Sequence, residues 1–253
     1  MNIDDIRTSY LSDDDAKFVY EQYPEAKRKN WCPSCDGKDE KCDHELQRAL
    51  FKLYANAGIG STYMRISWDM YDGRKDIVDF CNDYLSNLKA YKENNVGMML
   101  LGSNGIGKTT AMSLLIKSLV LKGQKCFFTT YAKLVSMLGD SFYDGEAKNE
   151  YNKRILHSTF LAIDDVGKEM IPNKLTRNAI DNVLRERIQA SRPTFMTSNM
   201  SKVELLNEYG RSSFSLLMEA AKTFEIDDDN DRRSFVKESR LKLAHEGKIL
   251  PIV

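Results

Sequence analysis

Residues Gly102 to Thr109 read Gly-Ser-Asn-Gly-Ile-Gly-Lys-Thr, a complete G-x-x-x-x-G-K-[ST] pattern. The flanking residues constrain the fold further. Val96-Gly-Met-Met-Leu-Leu101 is a short apolar run between Asn94-Asn95 and Gly102, which suits a strand buried on both faces. Thr110 to Leu121 is a mostly apolar helix ending at Gly123. A strand, a glycine-rich turn and a helix in this order gather backbone N–H groups at the positive end of a helix dipole, where an anion is favoured. Gly102, Gly105 and Gly107 permit the tight turn, and Ser103, Asn104, Ile106 and Thr110 complete the cradle. Lys108 can reach β- and γ-phosphates, and Thr109 can offer its hydroxyl to Mg²⁺. Lys108 is expected at an exposed helix start, so that its loss removes ATP binding without unfolding the chain.

From Val96 onward, strands and helices alternate. Lys125–Thr130, Thr159–Ile163, Pro193–Ser198 and Thr223–Ile226 read as further strands. Ala132–Leu138, Leu175–Gln189, Val203–Glu208 and Phe214–Ala221 read as helices, and Ser141–Lys153 as a polar loop or helix start. Upstream, Ala16–Tyr23 is a weak helical stretch, while Glu45–Ala57 and Asp76–Tyr91 carry apolar residues at helical spacing. Arg65–Gly73 is mixed and aromatic, and Gly247–Val253 reads as a loose tail. The alternation predicts an α/β fold with a parallel five-stranded sheet between helices.

Two carboxylates extend the phosphate site. Phe160-Leu-Ala-Ile-Asp164-Asp165 is an apolar strand that delivers both to the carboxyl edge of the sheet. Asp164 can hold Mg²⁺ together with Thr109, and Asp165 can polarise an attacking water. The plainer alternative is a pair of solvated turn carboxylates before Gly167. The next strand ends in Thr197-Ser-Asn199, and Asn199 can reach a γ-phosphate or the water. GTP is disfavoured because Asn173-Lys174 lacks the Asp of a guanine-reading motif. A small-molecule kinase would need an acceptor pocket and a basic lid, and the paired carboxylates suit hydrolysis better.

The five cysteines are unevenly spaced and fit a cytosolic chain with reduced thiols rather than a disulfide scaffold. Cys32-Pro-Ser-Cys35 followed by Cys42-Asp-His44 has the form of a zinc knuckle, in a segment too small to own a core. A redox pair and unlinked free thiols are the alternatives, and another residue could stand in for His44. Cys81 and Cys126 lie in apolar patterns and read as core.

The ordered set Gly102–Thr109, Leu161–Asp165, Thr197-Ser-Asn199 and Tyr209–Arg233 resembles the AAA+ ATPases of the DnaC/DnaI replicative-helicase loader group, whose core is shared by IstB-type transposition helpers. Ala55-Asn-Ala-Gly-Ile59 with Tyr63 and Trp68 resembles the segment leading into that group's ATPase domain. The resemblance implies an AAA+ P-loop fold over about residues 50–235, ATP with Mg²⁺ as cofactors, and self-assembly on single-stranded DNA. It also implies a replicative hexameric helicase as partner, opened or delivered onto DNA during replication initiation. It divides the chain into an N-terminal zinc-binding, helicase-gripping region (1–60), a lead-in (61–95), the ATPase (96–240) and a C-terminal tail (241–253). Trp31, Tyr20 and Tyr23 become candidate helicase contacts, or packing for the knuckle. A trans-acting arginine and a sensor arginine are usual in the group. Arg233 aligns with the sensor, but Ser212 and Leu216 stand where the other arginines are usual, leaving Arg211, one position away, as the finger. The alternatives are a transposition helper on duplex DNA and a weakly hydrolysing ATP-switch adaptor.

Lys+Arg and Asp+Glu both number 37, so DNA would have to meet a local basic face. Arg177, Arg185 and Arg187, flanked by Lys174 and Arg192, could supply one, or simply form a solvated helix face; Phe142 and Tyr143 could stack on bases. No apolar stretch reaches the length of a membrane span, and the acidic start lacks a signal-peptide core, so a cytoplasmic location with no membrane partner is expected.

Overall fold

The computed structural model describes residues 11–27, 43–167, 174–227, 238, 241–247 and 250–253. Five strands form one parallel sheet: β1 (Gly97–Gly102), β2 (Cys126–Thr130), β3 (Phe160–Asp164), β4 (Thr194–Ser198) and β5 (Ala221–Ile226). Their order is β2-β3-β4-β1-β5, with Met98 beside Phe195 and Ala162 beside Phe195 in register. The strand cores are apolar on both sides because helices cover both faces.

Alternate residues of each strand feed different cores. Met98, Leu100, Phe160, Ala162 and Phe195 face α6 (Lys108–Leu121) and the upstream helices α2 (His44–Asn56) and α4 (Lys75–Ser86). Met99, Leu101, Leu161, Ile163 and Met196 face α7 (Tyr131–Asp140), α9 (Lys174–Gln189) and α10 (Lys202–Ala220). Each fully buried Leu, Ile or Met contributes roughly 1.5–3 kcal/mol. Helix α6 is apolar nearly all round because it is sandwiched: Ala111, Leu115 and Leu119 share a core with Val19 of α1 (Asp13–Gln22) and with Leu46, Leu50 and Tyr54 of α2.

The segment after α2 docks on the edge strand. Phe128 N–H donates to Ala57 O at 2.7 Å. Gly58 has φ +78, and a Cβ there would lie 2.1 Å from Phe128 O, so no side chain fits this approach.

Several boundaries differ from the sequence reading. The helix expected over 76–91 is two, α4 and α5 (Leu88–Glu93), parted at Asn87. Of the two readings of residues 141–153 the helix start holds: α8 (Gly145–Tyr151) starts on an Asp144 cap and runs into a π turn over Asn152–Leu156. The two helices expected over 203–221 form one element bent at Gly210 (φ 76, ψ 170), and Ala221 already belongs to β5.

The end of the chain is not a loose tail. Ile252 N–H donates to Gln47 Oε1 at 2.6 Å, and Gln47 Nε2 returns a bond to Ile252 O at 3.0 Å. Val253 N–H donates to Met64 O at 3.0 Å, the Arg65 guanidinium holds Leu250 O, and the Ile252 side chain is buried. An apolar residue flanked by satisfied backbone groups can be held this way. Among the described residues, no helix is long and apolar enough to cross a membrane.

Candidate functional site

Strand order decides which side chains meet. β4 lies between β1 and β3, so the residues ending β4 stand between the phosphate loop and the two carboxylates. Leu101 pairs with Ser198, and Ile163 with Met196. Thr197, Ser198 and Asn199 therefore leave the sheet beside both.

The loop expected over Gly102–Thr109 turns from β1 into α6, with Ser103 and Asn104 exposed and Ile106 buried. Gly102 has φ +141, and a Cβ on it would lie 2.3 Å from Ile226 O, so glycine alone lets the loop pass the end of β5. Lys108 is not at an exposed helix start. It is 5% exposed, and its ammonium donates to Gly102 O (2.7 Å), Ser103 O (2.7 Å) and Asn199 Oδ1 (2.9 Å). Folding it back satisfies a charge that burial would otherwise penalise.

The carboxylates form the other wall. Asp164 ends β3 buried, and Thr109 Oγ1 donates to its Oδ1 at 3.0 Å. Burial pushes its carboxyl above the usual range, the Thr197 hydroxyl bond opposes this, and the nearby Asp165 charge adds to the rise. Asp165 follows in the left-handed region (φ 59) and accepts a bond from Asn199 Nδ2 at 3.1 Å. Asn199 thus touches Lys108 through its oxygen and Asp165 through its nitrogen. Lys108, Thr109, Asp164, Asp165 and Asn199 are brought together as the sequence implied. The plain reading of Asp164 as a solvated turn carboxylate fails, since it is buried. Thr109 and Asp164 offer hard oxygen donors in mutual contact, a set that fits Mg²⁺.

Two contributors had no assigned role. Thr197 bonds to Asp164 and Asp165. Tyr71 sets its ring against the loop, so that a Cβ on Gly107 would lie 3.2 Å from it. Trp68 meets Tyr71 edge-on at 5.9 Å and donates to Ser118 Oγ of α6 at 3.2 Å. A threonine in a strand carries no signal beyond β propensity; the aromatic run over 65–73 was the only hint of Tyr71.

Other expectations separate. Arg211 is exposed just past the bend at Gly210, whereas Leu216 is buried in the core under α10 and serves packing. Arg187 is no phosphate contact. It is 0% exposed, and its guanidinium donates to Ile155 O (2.8 Å), Ser158 O (3.0 Å), Pro193 O (2.9 Å) and Thr194 Oγ1 (2.9 Å). Arg192 caps Leu156 O at 2.7 Å. Phe142 and Tyr143, 63% and 94% exposed, project from the turn between α7 and α8. Cys32, Cys35, Cys42 and Arg233 lie outside the described residues; His44 opens α2. A cleft of about 300 Å³ between α7 and α8, lined by Phe127, Met137 and Arg154 among others, takes no residue from the phosphate loop.

Known proteins resemble this chain in sequence and in fold. The profile of the IstB-like ATP binding protein family matches residues 82–244. The Replicative helicase loader DnaI of Bacillus subtilis is 26% identical over 180 residues, covering 69% of this chain and 56% of that protein. The Replicative helicase loader DnaC of Buchnera aphidicola (subsp. Baizongia pistaciae) is 26% identical over 157 residues, covering 59% and 61%. The chain thus spans little more than half the length of these relatives. Among solved structures, a DnaC helicase loader superposes with TM-score 0.59 at 22% identity, over 66% of this chain and 100% of that one. AMPPCP-bound DnaA from Aquifex aeolicus gives 0.51 at 19% identity, over 71% and 54%. These likenesses show the AAA+ form of the α/β fold. With the profile spanning more than half of its length, the chain belongs to the IstB-like ATP binding proteins.

Proposed function

We propose that this chain binds and hydrolyses ATP in order to deliver a replicative ring helicase onto single-stranded DNA. The observation that carries the reading is the hydrogen-bonded chain from Lys108 through Asn199 to Asp165, beside Thr109 and Asp164. In this reading, Lys108 exchanges its loop carbonyls and Asn199 for β- and γ-phosphate oxygens. Asn199 and Asp165 then orient a water that attacks the γ-phosphorus, with Asp165 accepting its proton and ADP leaving. Thr109 and Asp164 would hold Mg²⁺, which supplies charge neutralisation at the phosphates. Arg233 adds a contact to the nucleotide.

The helicase partner is supported by the relatives named as replicative helicase loaders. The exposed pair Phe142–Tyr143 supports single-stranded DNA, because stacking on bases needs accessible rings. Arg211, exposed past the bend, serves the ATP of a neighbouring subunit in a self-assembled oligomer. Cys32, Cys35, Cys42 and His44 bind Zn²⁺ and order the region that grips the helicase; His44 at the first turn of α2 would tie the metal to the fold.

The direct test is a pull-down with a ring helicase, together with ATP turnover on single-stranded and duplex DNA. Capture of the helicase, lost in Trp31→Ala, with turnover stimulated by single strands, is the expected result. A duplex preference without helicase capture would move the reading to a transposition helper. Metal analysis of the purified protein tests zinc. Mixing Arg211→Ala with Lys108→Ala chains tests the trans arginine: each lacks what the other supplies, so activity should return only if the arginine acts across subunits.

A further inference from the structure

Thr197 sits at the end of β4, fully buried. Its Oγ1 donates to Asp164 Oδ1 and accepts the backbone N–H of Asp165 at 3.0 Å. One hydroxyl therefore touches the side chain of the first carboxylate residue and the main chain of the second. Only a group that donates and accepts at once can do this, and at this size that means Thr or Ser. The neighbouring residues extend the same seam. Val166 N–H donates to Thr197 O at 2.8 Å, and Ser198 Oγ donates to Val166 O at 2.6 Å. The turn that carries Asp165 in its left-handed conformation is thus laced to β4 at each residue from Asp164 to Val166. Such a conformation persists where its surroundings over-determine it.

We infer that Thr197 is a positioning residue: its hydroxyl fixes the Asp164 side chain and the turn at Asp165 together, so that both carboxylates point at the phosphate site. This rests on the ATP-hydrolysis reading above. The Asp164 carboxylate is held from two sides, by Thr109 on α6 and by Thr197 on β4. Loss of the β4 side frees its rotamer and takes the Thr197 hydroxyl away from the Asp165 amide. The phosphate loop and Lys108 make no bond to Thr197 among those described, so nucleotide binding without metal does not depend on it.

The test compares Thr197→Val, of nearly equal shape with no hydroxyl, with Thr197→Ser, which keeps it. In the nucleotide-free full chain, amide exchange at Asp165 should accelerate in the valine variant and stay near wild type in the serine variant. Magnesium titration of a fluorescent ATP analogue should show Mg²⁺ affinity weakened about 10–100-fold by valine, with turnover falling in parallel and metal-free binding unchanged. Serine should restore both. Wild-type exchange and Mg²⁺ dependence in the valine variant, or a serine variant as impaired as valine, would overturn the inference. Should the valine chain fail to fold, Thr197→Ala takes its place with the same two outcomes. If wild type binds ATP but never turns it over, the hydrolysis reading falls, while exchange at Asp165 still decides the role of Thr197.

Discussion

The Lys108 ammonium and the Asn199 side-chain oxygen stand 2.9 Å apart, so the lysine that the loop offers to phosphate is tied to β4. Asn199 spends its other end on Asp165 at 3.1 Å. Asn199→Ala should therefore lower turnover by roughly 100-fold through loss of water orientation. Nucleotide affinity should change only a few-fold, because the loop remains. Turnover and equilibrium binding measured on the same preparation check the split; equal losses in both would contradict it. Lys108→Ala should abolish binding, and it also leaves Gly102 O and Ser103 O without their donor, at a cost of about 1 kcal/mol.

Gly58→Ala should destabilise the chain by about 2 kcal/mol or more. The new Cβ meets Phe128 O at 2.1 Å, and φ +78 is strained for any side chain. Urea denaturation of both proteins measures it. The damage should fall on the docking of residues 57–59 to β2, so ATP-analogue binding at temperatures where the variant is folded should match wild type.

Lys117 gives a pH signature. It is 4% exposed on α6, donates to Met64 O (3.1 Å) and Ile66 O (2.7 Å), and lies 5.1 Å from the centre of the Tyr54 ring. Burial pushes its ammonium down to about 7, against about 10.4 unfolded. Between these values the unfolded chain binds the extra proton, so this residue makes stability rise with pH above about 7. Below that, both states are protonated and the slope vanishes. Comparing wild type with Lys117→Met between pH 7 and 8, the slope difference should approach 1 kcal/mol per unit. Identical slopes would show that the Met64 and Ile66 carbonyls keep the lysine charged.

Arg187→Ala should cost about 3 kcal/mol or more, since it takes a donor from buried carbonyls at the starts of β3 and β4 and empties the space of a fully buried side chain. DNA affinity at temperatures where the variant is folded should equal that of wild type. A selective loss of DNA binding would restore the phosphate-contact role.

Arg187 also marks where sequence reading ends. Its spacing on α9 looks like a solvated face, and nothing local reveals that carbonyls from 155 to 159 turn toward it. The strands were legible because runs such as Met98–Leu101 and Phe160–Ile163 are apolar without interruption, which is what burial on both faces requires. Lys108 was legible from the loop pattern, and Asp164, Asp165 and Asn199 because each ends or directly follows a strand. Thr197 was not, because its role depends on β4 lying next to β3, and strand order is absent from the linear pattern. Helix α8 is mostly polar, and the docking of Ile252 on Gln47 spans 205 residues, so neither has a local signal.

The left-handed backbone at Asp165 narrows the residue alphabet at the second carboxylate. Asp, Asn and Gly occupy that region readily, while a longer acid does so at greater cost. Chemistry alone would accept Glu as well as Asp at this position. The turn favours Asp: under the proposed hydrolysis, the reach of the acid, and hence the distance at which water would sit, is set by the main chain before any proton moves.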